Sequence, residues 1–216
     1  MKVKKYIVLT VLFLLPLLVY IFFATGVNNF VKLPVLTTSV AELDGFQDIE
    51  GERPRLQNKI TVLGFFGSDV GNKRANAFNL AHKIYKKNHQ FDEFQFVILV
   101  TEDQQDQVAA LLKELEQIEK TDNWKFAIGS PEQIEMVFQS LESTYALDEN
   151  WSSDFVFIID KERSLRGRDD DEDVTLLYGF NASDYAEINN KMGDDIKVVL
   201  AEYRLALKKY KSNREI

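Results

Sequence analysis

Three apolar runs constrain this chain most. Lys59–Phe66 reads KITVLGFF, Glu93–Val100 reads EFQFVILV, and Phe155–Asp160 reads FVFIID. All are β-rich, and the second ends as a near-continuous apolar stretch, the pattern of a strand buried on both faces. Between them lie amphipathic segments. Asn72–Lys87 places Ala75, Phe78, Ala81 or His82, and Tyr85 on one helical face. Asp103–Lys120 carries the stripe Val108, Leu111, Leu112, Leu115 and Ile118. A helical crossover between two strands makes the pair parallel.

The later segments extend the pattern. Trp124–Ile128 is a short strand. Ser130-Pro131-Glu132-Gln133 then opens a helix, with Ser130 as N-cap, Pro131 at the first position and Gln133 completing a capping box. After FVFIID, Lys161-Glu162-Arg163 is a tight turn and Ser164–Gly167 returns as a hairpin partner. Asp194–Lys211 is a long closing helix with Ile196, Val199, Leu200, Tyr203, Leu207 and Tyr210 on one face. The predicted order is β-α-β-α-β-α-β-β-α, a sheet between helical layers.

The N-terminus is of another kind. Met1-Lys2-Val3-Lys4-Lys5 is basic, and Tyr6–Ala24 follows without a charge. About 20 apolar residues of helix cross a bilayer. The bulky Phe22-Phe23 and the length of the run favour an uncleaved anchor over a signal peptide. The lysines place the N-terminus in the cytoplasm and the rest of the chain on the periplasmic or extracytoplasmic side. The expected division is an anchor over 1–25, a tether over 26–58 with one short extended stretch at Val31–Val40, and a folded domain over 59–212.

Charge and composition exclude several functions. All 34 Asp and Glu follow the apolar run, whereas three of the 26 Lys and Arg precede it, so the outer part is more acidic than the whole chain's −8. Nucleic acid and anionic lipid are therefore poor partners for it. With no cysteine, disulfides, thiol catalysis and thiolate metal sites are absent.

The anchor, the strand end TVLGFFGS, the block FVFIIDKERSLRG and the stretch Tyr178–Ser183, YGFNAS, together resemble the SCO/SenC group of thioredoxin-like proteins. The resemblance covers roughly residues 30 to 210. It implies a thioredoxin-like α/β fold, a three-layer sandwich behind an N-terminal transmembrane helix, in a group that helps assemble the copper centre of cytochrome c oxidase. That group binds copper through two cysteines just after the first core strand and a histidine before the FVFIID-like strand. Carried over by the resemblance, those positions are Asp69, Lys73 and Ser152 here. Cu(I) favours thiolate or imidazole, and thiol–disulfide exchange needs a thiolate, so neither activity is expected at these residues.

Other candidates are weaker. Asp169, Asp170, Asp171, Glu172 and Asp173 form a dense acidic run that reads as a solvated loop or, alternatively, as a site for a hard cation. His82 and His89 are seven apart and too distant along a helix for one metal. Ser68 or Asp69 reads as the N-cap of the helix after the first core strand. Ser68 and Ser152 have no histidine base placed beside them, which argues against a hydrolase. Trp124 and Trp151 read as core or rim packing. Asn150-Trp151-Ser152 and Asn181-Ala182-Ser183 match the glycosylation sequon. The expected function is non-enzymatic and without a cofactor. It is a membrane-held scaffold or accessory in oxidase assembly, embedded in lipid through residues 6–24 and docking a membrane protein or assembly factor. The alternative is an extracytoplasmic divalent-cation-binding or general protein-interaction module.

Overall fold

The structure, a computed structural model, describes residues 2–25 and 32–212, with side chains described in part at both ends. It forms two units, 1–31 and 32–216, with boundaries at Met1–Val31 and Lys32–Ile216.

The first unit is helix α1, Lys2–Thr25, 24 residues with Pro16 inside. Its described apolar side chains are exposed, from Tyr6 through Phe22. Among the described residues no helix is long and apolar enough to cross a membrane. The anchor expected over residues 6–24 lies partly outside the described residues, since the side chains of Ile7, Phe23 and Ala24 are not among them.

The second unit is built on β2, Ile60–Gly67, and β3, Phe94–Thr101, which run parallel and are buried at every position. β4, Trp124–Gly129, continues the parallel array beside β3. On the other side, β5, Phe155–Ile159, runs antiparallel to β2, and β6, Leu165–Arg166, antiparallel to β5. β1, Val35–Thr37, closes that edge against β6. The sheet order is β1-β6-β5-β2-β3-β4. β7, Arg168–Asp171, and β8, Thr175–Leu177, form a separate hairpin, and β9, Phe180–Asn181, pairs with β5.

Helices cover both faces. One core joins β-sheet residues such as Val62, Phe96 and Ile98 to α2, Arg74–Leu80, to α4, Gln105–Leu115, and to α7, Gly193–Ser212. The other joins Leu63, Phe65, Val97 and Phe157 to α5, Pro131–Gln139, and to the segment before β2. The Ser130 capping box is formed, with the Ser130 side chain accepting from the Gln133 N–H and the Gln133 side chain from the Ser130 N–H.

Three expectations change. The tether is packed: Val40, Leu43, Phe46 and Leu56 are buried in the second core. The Glu42 carboxylate also accepts the Leu43, Leu56 and Gln57 N–H groups. The compact unit therefore begins at Lys32 and not at residue 59; an irregular segment buries isolated apolar residues without a period to reveal them. The helix after β2 is also offset. It starts at Arg74 and continues through a π-turn, Ala81–Tyr85, into α3, Lys86–Asn88. Its buried residues are Asn76, Ala77, Leu80, Ala81, Ile84 and Tyr85, while Ala75 and His82 are exposed, so the buried face is offset from the predicted one already within α2, ahead of the π-turn. Finally, the N-cap is Lys73 without a side-chain bond, not Ser68 or Asp69. Along the closing helix, the side chains of Leu207 and Tyr210 are not among those described.

Candidate functional site

The strand end at Gly67 meets the loop that precedes β5. The Ser68 N–H donates to the Asn150 carbonyl at 2.9 Å, and the Ser153 N–H to the Phe65 carbonyl at 2.9 Å. Gly67 has φ +50°, and a Cβ there would lie 1.9 Å from the Asn150 oxygen. Only glycine lets the two backbones approach this closely. The loop is itself tightly wound. Trp151 has φ +54°, an uncommon conformation for a bulky residue.

These contacts bring the segments of Asp69, Lys73 and Ser152 against one another, and other residues occupy their polar groups. Lys73, 9 % exposed, reaches Asp154 with Nζ–Oδ1 at 2.8 Å, and Asn76 Nδ2 donates to the same oxygen at 2.8 Å. That hydrogen bond from the ammonium holds Asp154 below the usual carboxylate range against the opposing effect of burial, with Asn76 helping. Ser152, 1 % exposed, donates its hydroxyl to Asp148 Oδ2 at 2.7 Å. Asp148 Oδ1 accepts the Asn150 and Ser152 N–H groups. Burial pushes Asp148 up, but those bonds and the Lys73 charge outweigh it and lower its pKa. Asp69 Oδ1 accepts from Asn72. The Ser68 hydroxyl faces the Asn150 carbonyl at 3.4 Å.

The donor set is hard and already engaged: carboxylates, an ammonium, amides and hydroxyls. It does not fit Cu(I), which favours thiolate and imidazole. His82 is exposed on the helix, and His89 sits 3.7 Å from Glu119. Sequence reasoning missed Asp148, Asp154 and Asn76. The Asp-x-x-x-Ser spacing of Asp148 and Ser152 is a visible trace of the first; nothing local marks the long-range Lys73–Asp154 pair.

The acidic run is not a loop but a hairpin and its turn, and the buried Asp171 and the exposed Asp173 hold a lysine. Lys191 Nζ lies 2.9 Å from both Asp171 oxygens and 2.6 Å from Asp173 Oδ2. Arg168 binds Asp195 through two bonds of 2.8 and 2.9 Å. The ammonium takes the place expected for a hard cation, while Asp169, Asp170 and Glu172 point into solvent. Among the described residues, Asp48, Glu50 and Glu52 have ligand atoms within 4.8 Å of one another. Lys125 already bridges Asp48 and Glu52 at 3.5 Å each.

No protein-family profile matches the chain, and no curated protein is similar to it in sequence. Solved structures are similar in fold. A putative protein disulfide isomerase from Bacteroides thetaiotaomicron is 15 % identical, with a TM-score of 0.53 over 79 % of this chain and 95 % of that one. A putative electron transfer protein from Aquifex aeolicus is 14 % identical, with a TM-score of 0.53 over 76 % and 92 %. BsSco, a member of the Sco family of cytochrome c oxidase assembly proteins, is 17 % identical, with a TM-score of 0.49 over 77 % and 92 %. Likeness at these identities speaks for fold alone. The β2–β3 parallel unit, the antiparallel β5–β6 pair and the closing α7 agree with it. The chain is a cysteine-free protein of the thioredoxin-like α/β fold.

Proposed function

We propose that this chain is a membrane-anchored, non-catalytic thioredoxin-like protein that acts as a scaffold or accessory in cytochrome c oxidase assembly. The observation that carries the non-catalytic reading is the strand-end turn at Gly67. Where this fold places redox cysteines, the chain has a buried Lys73 paired with the exposed Asp154, and a Ser152–Asp148 hydrogen bond. A thiolate is needed to exchange disulfides, and the turn contains none.

The oxidase connection rests on the sequence blocks TVLGFFGS, FVFIIDKERSLRG and YGFNAS, which resemble the SCO/SenC group. The anchor is supported by the uncharged sequence run Tyr6–Ala24, close to the roughly 20 apolar residues that a helix needs to cross a bilayer. The basic start Lys2-Val3-Lys4-Lys5 favours a cytoplasmic N-terminus and a periplasmic or extracytoplasmic domain.

Affinity capture of the tagged full chain from detergent-solubilised membranes tests the partner. Recovery of oxidase subunits or assembly factors is expected. Recovery of neither, with the bait intact and membrane-bound, would overturn the assembly role. Competition for Cu(I) against a chelator tests the silent site, and tight stoichiometric binding would overturn the reading that the chain carries no copper.

A further inference from the structure

We propose that the β7–β8 hairpin is a docking edge for an extended, basic amphipathic segment of a partner protein. The inference rests on the scaffold reading only in that a partner exists; the identity of that partner does not enter it.

The hairpin combines three properties. First, β7 and β8 pair with each other and with no other strand among the described residues. The backbone N–H and C=O groups of Asp169 and Asp170 make no hydrogen bond outside the hairpin among those residues. An open edge of this kind accepts an added strand through main-chain bonds. Second, it exposes apolar side chains beside acids. Val174 is 54 % and Leu176 43 % exposed. The carboxylates of Asp169, Asp170 and Glu172 are exposed and make no hydrogen bond or ion pair among the described residues. Third, its root is held. Arg168 grips Asp195, and Lys191 grips Asp171 and Asp173. A preorganised edge loses little conformational freedom on binding.

Charge selects the occupant. A second copy docking symmetrically would set these carboxylates against themselves. Anionic lipid headgroups would be repelled. An extended segment alternating lysine or arginine with apolar residues satisfies both features. Its cations face Asp169, Asp170 and Glu172, and its apolar side chains cover Val174 and Leu176. Charges arranged in this way set register and speed encounter.

The test uses the full chain in neutral detergent and a labelled short peptide of alternating lysine and valine, read by fluorescence anisotropy. Binding that weakens with added salt is expected. The D169N/D170N/E172Q and V174S/L176S variants should each bind roughly tenfold more weakly. The E50Q/E52Q variant, which removes charge from another surface, should bind as the unchanged chain does. Circular dichroism checks that each variant is folded. Three results would each overturn the docking edge: no binding by the unchanged chain, equal binding of a peptide whose lysines form one block, or E50Q/E52Q weakening binding as much as the hairpin variants. Failure here, with oxidase subunits still captured by the full chain, removes the docking edge and leaves the proposed function standing. Peptide binding without such capture does the reverse.

Discussion

Gly67 decides how the candidate site is built. With φ +50° and a virtual Cβ only 1.9 Å from the Asn150 oxygen, it has neither the conformation nor the space for a side chain. Gly67→Ala is expected to destabilise by more than about 2 kcal/mol. Urea unfolding checks this, and an unchanged midpoint would mean the loop before β5 is not seated on the strand end. The Lys73–Asp154 pair makes an asymmetric prediction. The Lys73 side chain is 11 % exposed and that of Asp154 is 48 % exposed. Removing Asp154 strands a buried ammonium, whereas Lys73→Met leaves a carboxylate that water and Asn76 still solvate. Asp154→Ala is expected to cost about 1–2 kcal/mol and Lys73→Met less. The reverse order in urea unfolding would refute this account of the pair. At the start of α5, Ser130→Ala should cost about 1 kcal/mol by the same measurement.

Among the elements, the β7–β8 hairpin has a defined response to acid. Burial pushes Asp171 up, but the Lys191 ammonium and the Asp173 and Val174 N–H groups outweigh it, so its pKa falls below the usual carboxylate range. Asp195 is opposite: burial raises it and Arg168 only partly compensates. The ordinary carboxylate value is roughly 4. Asp171, Asp148 and Asp154 are therefore charged above it and contribute stability that is lost as pH falls through their lower folded values. Asp195 has the contrary sign, because its folded form takes a proton already above that value. On acidification the Arg168–Asp195 contact should weaken first and Lys191–Asp171 last. Carboxyl chemical shifts followed against pH would show this order, and Asp171 titrating before Asp195 would contradict it. In alkali, burial raises Tyr85 to about 12. The stability its neutral form contributes is full below roughly 10 and is lost as pH rises toward that folded value.

For the molecule as a whole, the compact unit from Lys32 carries both cores, and α1 is a unit of its own. Removing residues 1–25 should therefore release the chain from membranes and leave the thermal transition of the remainder nearly unchanged. Carbonate extraction and calorimetry read the two outcomes separately. A truncated chain that stays with the membrane would sink the anchor. The packed segment 32–58 predicts a further contrast. Deleting residues 32–58 should abolish cooperative unfolding, because Val40, Leu43, Phe46 and Leu56 complete the second core.

Local pattern determined much of this protein. The strand runs, the α4 stripe and the Ser130 capping box were readable because each depends on neighbours within one or two turns of chain. So was the lack of thiol chemistry, which follows from residue identity alone. Tertiary structure decided the rest. The helix after β2 buries Asn76, Ala77 and Leu80 rather than Ala75, and contact of Tyr85 with Phe96 and Trp124 on the sheet holds that face inward. The segment before β2 is core rather than tether because Thr37, Ala41 and the isolated apolar residues find partners far along the chain. The acids around Asp171 hold Lys191, and Lys73 holds Asp154, across separations of 20 and 81 residues. A side chain's charge is written in the sequence, but what neutralises it is set by which distant segments the fold brings within a few ångströms.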